Sequence, residues 1–320
     1  MKIISFIVVL GVFICGAFKL TFASNIEEKQ LPARFVETTV AQLSDVLDKN
    51  YVYPEMAQQM NAYLKQQFLA GKYDDSRTHR ELVKQMQTDL RQVSDDGHIS
   101  LLLSEDSVDR TTVVVPLTEE QSKIHAEVVS DNITPNIGYL QINTFGGTEK
   151  TNDGLVKGME SIGSSDFLII DLRENRGGDP NMVALLSSYF VEDNSLLWSI
   201  VDRNGEQQLE VRSASNRNKF KGGLCILTSR KTYSAAEAFA YTMKHAGRAL
   251  IVGERTGGGA HLVDMMRIND KIDMRVPVAR AYNHITDSNW ERVGVVPDII
   301  VKATDAKGAA IEYFNNEVKL

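Results

Sequence analysis

The chain predicts an α/β fold: an alternating strand–helix core preceded by a small helical bundle. Three observations carry that expectation. From residue 153 onward, helical segments alternate with β-branched strand runs, the pattern of a largely parallel sheet. Several of those strands end in glycine-rich turns. Between residues 35 and 90, by contrast, apolar residues recur only at helical spacing.

Val40, Leu43, Val46 and Leu47 mark a first helix, and Met56, Met60, Tyr63, Leu64 and Phe68 a second. Pro54 stands near the start of the second helix, where its missing N–H costs nothing. The break at residues 71–75 precedes a third helix through Leu82, Val83, Met86 and Leu90. Strands are then expected at residues 99–103, 112–115 and 137–142. Beyond them the reading gives a helix at 155–162, a strand at 167–171, a helix at 182–191 and a strand at 224–227. A helix follows Ser234, then a strand at 249–252. Residues 262–268 and 272–278 read as a hairpin added to that core, turned at Asn269-Asp270.

Composition bounds the function. The 320 residues are 43% hydrophobic and 24% charged, an ordinary globular balance. Residues 1–23 read as a secretory signal peptide: Lys2, an apolar stretch to residue 18, and small residues around Ala23. Lys19 interrupts the apolar run before it reaches membrane-spanning length. Export to a periplasm or the extracellular space is therefore expected. The net charge of −7 makes nucleic acid and anionic membrane surfaces poor partners. Signal removal would take Cys15 and leave Cys225 alone in an apolar strand, a buried inert thiol rather than a nucleophile.

Three segments can carry chemistry. Ser234 lies between the strand Leu224-Cys225-Ile226-Leu227 and the first turn of a helix, at the positive end of the helix dipole. That position suits an attacking hydroxyl; taken alone it equally suits an ordinary N-cap. In the run from Asp171 to Asp179, a buried strand ends in Arg176-Gly177-Gly178 just before a helix. Such a turn offers backbone N–H groups to a phosphate or to an oxyanion. The phosphate reading lacks the usual glycine spacing and a following lysine. The third is the turn Thr256-Gly257-Gly258-Gly259-Ala260, followed by His261, which is placed to line a substrate cleft. Other histidines stand at 79, 98, 125, 245 and 284, and no pair has metal-ligand spacing, so no metal or cofactor is expected. His245 closes the Ser234 helix, where an imidazole suits the dipole. Trp198 and Trp290 read as packing residues.

Asp95-Asp96-Gly97-His98, the Asp171–Gly178 run, the stretch from Ser234 to Gly259, and Trp290-Glu291-Arg292 occur in that order. Together, and with Tyr51-Val52-Tyr53-Pro54, they resemble the serine peptidase family of the tail-specific (carboxy-terminal processing) proteases, the tricorn core and the interphotoreceptor retinoid-binding protein. The resemblance implies a crotonase/Clp-protease type core, a spiral of ββα units, over residues 97–320, behind a helical domain at 28–96. It also implies Ser234 as nucleophile, with an oxyanion hole from the N–H of Ala235 and of a glycine in the pair Gly177-Gly178.

Tail-specific members take a lysine as base where this chain has Gly259, and neither Lys231 nor Lys244 matches that position. Tricorn-like members use a histidine and a glutamate, which fall on His98 and Glu291 here. The tricorn pattern has a serine where Gly97 stands, and the short stretch between His98 and residue 137 leaves no room for a PDZ domain. The resemblance therefore points to an exported serine peptidase acting on peptides or proteins, with His98 as general base. Its rivals are an apolar-ligand binder of the retinoid-binding kind and an acyl-thioester isomerase or hydratase.

Overall fold

A computed structural model describes residues 30–104, 127–162 and 164–317. The expected signal peptide, the strand at 112–115 and His125 lie outside them. Helices α1 (Ala33–Asn50), α2 (Pro54–Leu69) and α3 (His79–Ser94) form the N-terminal bundle. The third is fixed by a capping box in which Thr78 accepts from the Glu81 N–H at 3.1 Å. It ends at Asp95, whose left-handed φ of 51° reverses the chain and brings Asp96 and His98 back toward the core.

Two sheets follow. The larger contains β2 (Val128–Thr134), β3 (Ile137–Ile142), β4 (Phe167–Asp171), β7 (Gly223–Thr228), β8 (Leu250–Gly253) and β11 (Ile299–Ile300), in the order β11-β8-β7-β4-β3-β2. Only the β2–β3 pair is antiparallel. Helices α4 (Glu149–Ile162), α5 (Pro180–Ser187) and α6 (Ala235–His245) cover one face, and α7 (Ala306–Glu317) covers the other. The central strands therefore read as unbroken apolar runs, as burial on both faces requires.

The second sheet runs β1 (Ser100–Leu103), β10 (Ile272–Tyr282), β5 (Leu196–Asp202) and β6 (Gln207–Arg212), with β9 (His261–Asn269) also paired to β10. The hairpin expected at residues 262–278 is thus present as β9–β10. It is the centre of a sheet of its own rather than an addition to the parallel one, because β10 also pairs with β1 and β5. The bundle helices share one apolar cluster with this sheet, including Leu43, Leu64, Leu90, Leu101, Ile272 and Met274. Packing of the bundle on β10 consequently fixes where the Asp96–His98 turn lies relative to the core.

Candidate active site

Three loops meet at the carboxyl ends of adjacent parallel strands: 172–179 after β4, 229–234 after β7 and 254–260 after β8. Side chains stitch them together. Thr232 Oγ1 donates to the Leu172 carbonyl at 2.8 Å, Ser229 Oγ to the Arg173 carbonyl at 2.5 Å, and the Tyr233 N–H to the Asn175 carbonyl at 3.1 Å. Asp171, the acidic residue of the glycine-loop motif, has a structural task. It accepts from Tyr139 Oη at 2.6 Å and from the Arg173 guanidinium at 2.5 Å, behind the loop rather than in the cleft.

Ser234 has φ 53° and ψ −122°. A non-glycine residue in that region stores roughly 1–3 kcal/mol of strain and persists only when its surroundings hold it. The conformation is that of a sharp strand-to-helix elbow, which lifts the hydroxyl clear of the backbone. Glu237 does much of the holding. Its Oε2 accepts from the N–H groups of Ser234 (2.9 Å) and Gly259 (2.8 Å), and its Oε1 from Gly258 N–H (2.7 Å) and Thr256 Oγ1 (2.5 Å). Burial pushes this carboxyl up to about 7, against the opposing effect of those four donors. One buried side chain thereby fastens the serine elbow to the triple-glycine turn.

The glycine pair serves the elbow unequally. Gly177 spends its N–H on Asn175 Oδ1 at 2.8 Å, so of the two glycines that the sequence reading left open it has no N–H free for a ligand. A side chain there would stand 2.8 Å from Ser234 Cβ, and its φ is +100°. Gly177 therefore lets the two loops touch. Gly178 lines the Ser234 cavity together with Ala235, the first residue of α6. Among the described residues their N–H groups make no backbone hydrogen bond outside regular elements, so both are available to a ligand in the cavity.

A cavity of about 240 Å³ joins Ser234 to His98 and His261. His98 donates its backbone N–H to Asp96 Oδ1 at 2.9 Å, and its Nδ1 lies 3.3 Å from Tyr233 Oη and 3.7 Å from Asp96 Oδ1. Its buried Nε2 has no hydrogen-bond partner among the described residues, so it is not bonded to Ser234 Oγ. His261 is the better anchored imidazole. Its Nδ1 lies 2.8 Å from Asp96 Oδ2, its Nε2 is likewise buried and unpartnered, and its side chain is 2% exposed. Asp96 also accepts from Tyr51 Oη at 2.9 Å. Burial works to raise its pKa, but the hydrogen bonds from His261 and His98 outweigh it and hold the carboxyl well below the usual carboxylate range.

Glu291 closes the cluster. Its Oε2 accepts the Ala260 N–H at 2.6 Å and lies 3.6 Å from His261 Nδ1, so it meets the site through His261 rather than beside His98. Burial pushes its pKa up to about 7, despite the opposing effect of His261.

Two departures from the family patterns share one cause. A side chain on Gly97 would lie 2.7 Å from Tyr233 Oη, and one on Gly259 would lie 2.2 Å from Tyr233 Cζ and 2.6 Å from His98 Cε1. The Tyr233 ring occupies the space that a serine at 97 or a lysine at 259 would need. Among the described residues no lysine lines the cavity: Lys231 pairs with Glu174 at 2.8 Å, and Lys244 pairs with Asp298. Cys225 is buried in β7, in the apolar cluster under α7, with its thiol pushed up to about 12 by burial. His245 closes α6 away from the cavity, His79 packs on Phe35, and His284 Nε2 lies 2.7 Å from Ser199 Oγ. Trp198 and Trp290 are buried as packing residues but also form part of the cavity wall.

Sequence reasoning passed over Asp96, Tyr233 and Glu237. Glu237 was open to discovery, since Ser234-x-x-Glu237 is a capping-box spacing. Asp96 and His261 are 165 positions apart, so no motif joins them. Asp96, His98 and His261 present ligand atoms within 4.8 Å of one another, a donor set compatible with a divalent transition metal that linear spacing could not reveal.

A family model described as peptidase family S41 matches residues 136–301. A second, described as the N-terminal domain of peptidase S41 in eukaryotic IRBP, matches residues 32–133. A carboxyl-terminal-processing protease of Picosynechococcus is 26% identical over 167 residues, covering 52% of this chain and 39% of that one. A tail-specific protease of Haemophilus influenzae is 29% identical over 208 residues, covering 62% of this chain and 27% of that one. The matched region is thus well under half the length of those curated relatives. In fold, a structure from Parabacteroides merdae superposes with TM-score 0.65 at 20% identity, covering 87% of this chain and 96% of its own. The tricorn protease superposes with TM-score 0.55 at 13% identity, covering 90% of this chain and 37% of its own.

Two outcomes test the electrostatics. Glu237→Gln turns an amide N–H₂ toward backbone donors, and thermal unfolding should show a loss of about 1–3 kcal/mol. Glu291, raised to about 7, holds its proton when folded over a range where the unfolded chain has released it. Its contribution is therefore greatest below the ordinary glutamate range and declines as pH rises through 7. Urea melts at several pH values should show that slope reduced in Glu291→Gln.

Proposed function

Since the chain belongs to peptidase family S41, we propose that it is a serine peptidase that cleaves peptide or protein substrates through an acyl-enzyme on Ser234. The observation that carries this reading is the strained Ser234 elbow at the start of α6, sharing one cavity with two buried imidazole nitrogens that have no partner among the described residues. In this mechanism Ser234 Oγ attacks the scissile carbonyl, and His98 Nε2 takes its proton and passes it to the departing amine. Gly178 and Ala235 N–H groups receive the oxyanion, where donors fixed before the reaction act most strongly. Water then hydrolyses the ester.

Beside the histidines the cavity wall is apolar, with Trp198, Ala238, Leu262 and Ala281, which suits an uncharged substrate side chain. The same reading treats residues 1–23 as a signal peptide and the protein as exported, with a helical unit at 28–96 ahead of a peptidase core at 97–320.

Ser234→Ala should lower hydrolysis of unfolded casein by at least about 10³-fold while leaving the thermal melt in place. The unaltered protein should react with a fluorophosphonate probe at Ser234. Absent labelling would favour the binding-protein reading, and retained hydrolysis in Ser234→Ala would remove the mechanism. Export has its own test: N-terminal sequencing of protein recovered from its host should find a mature chain beginning near residue 24, and an intact Met1 terminus would count against it.

A further inference from the structure

We propose that His261 is a second proton-transfer residue of the Ser234 site, oriented by the same Asp96 carboxylate that flanks His98. The inference rests on the serine peptidase reading above and adds to it a residue that the linear pattern did not assign.

The argument is one of tautomers. Asp96 is a buried anion and can only accept, so the 2.8 Å contact from His261 Nδ1 places a proton on that nitrogen. In the neutral ring Nε2 then carries a lone pair. That atom is buried, has no protein partner among the described residues, and belongs to a ring lining the cavity that contains Ser234. His98 is held less firmly. Its Nδ1 faces a phenol at 3.3 Å, and its distance of 3.7 Å from Asp96 Oδ1 is beyond a hydrogen bond. Of the two imidazoles, His261 has the carboxylate at bonding distance, the arrangement that fixes a base and stabilises the cation it forms.

The ring is held in place from its other sides too. Tyr53 meets it edge-on with ring centroids 5.4 Å apart, and Glu291 binds the Ala260 N–H immediately before it. The proposed step is hydrolysis of the Ser234 ester, after His98 has served acylation. An O–H bond of the attacking water breaks as its oxygen bonds to the acyl carbon, and the proton goes to His261 Nε2. It passes to Ser234 Oγ when the ester C–O bond breaks, so the ring ends neutral.

The test separates chemistry from positioning. In His261→Asn the side-chain N–H₂ can still donate to Asp96, but no base remains. The rate of casein hydrolysis should fall by about 10²–10⁴-fold, with acyl-enzyme accumulating on Ser234 and the near-ultraviolet circular dichroism of the parent retained. In His261→Ala, added imidazole should restore part of the lost rate. If His261→Asn hydrolyses casein within about twofold of the parent, or loses rate with no acyl-enzyme accumulating, the ring only positions its neighbours and the proposal fails. Failure of imidazole rescue in a folded His261→Ala variant would count against it as well. If instead Ser234→Ala remains active, the peptidase reading itself is lost, and that outcome is separate from any result at position 261.

Discussion

The site depends on a buried carboxylate that three parts of the chain cannot do without. Asp96 is fully buried, and it binds Tyr51 from the bundle, the His98 N–H from its own turn, and His261 from the start of β9. An ionised carboxylate removed from water is expensive unless each lone pair has a donor, and here the donors come from separate elements. Bundle, seam and hairpin must therefore dock together before that cost is met. The left-handed residue Asp95 and the Arg292 contact to the Ser94 carbonyl hold the same turn from either side. A side-chain cluster assembled in this way is a consequence of tertiary packing more than of any local motif.

Tyr233 imposes the second constraint. Its side chain lies against Gly97, Gly257 and Gly259: a Cβ would come within 2.7 Å of the phenol oxygen at Gly97 and within 2.6 Å of the ring at the other two. These glycines belong to two different loops, yet they are small for one reason. The phenol that fills their space faces His98 Nδ1 and packs at a tilt of 40° against that ring, with centroids 4.8 Å apart. Read singly, Gly97 and Gly259 look like losses from the tricorn and tail-specific patterns. Read with Tyr233, they are the room made for a different neighbour of the histidine.

Much of the fold was legible because it is written locally. Residues 167–171 and 224–227 are apolar runs bounded by polar turns, and both are central strands. The hairpin at 262–278 was legible as a pair but not as the middle of a sheet, since β1 and β5 reach β10 from far along the chain. In the site, Ser234 was readable from its strand-to-helix position. Asp96 was not, because a carboxylate beside a histidine in sequence looks solvated until its distant partners are known. The two glycines of the Gly177-Gly178 pair were likewise indistinguishable until the Asn175 side chain was seen to occupy one N–H.

The charge states of the cluster then follow from each other. Asp96 and Glu291 both approach His261 Nδ1, at 2.8 and 3.6 Å. Two anions so close in a dry site would repel strongly, and the pair resolves this by dividing. Asp96, with two imidazoles beside it, stays ionised; Glu291 is pushed toward its neutral form by burial and by Asp96, its Oε1 having no partner among the described residues. Below about pH 7 the cluster therefore has one carboxylate charge, that of Asp96, beside two imidazoles. A proton placed on either ring would form a cation facing that anion. Preorganisation of this kind needs no movement of the backbone at the moment of reaction. That is compatible with an elbow as constrained as the one at Ser234.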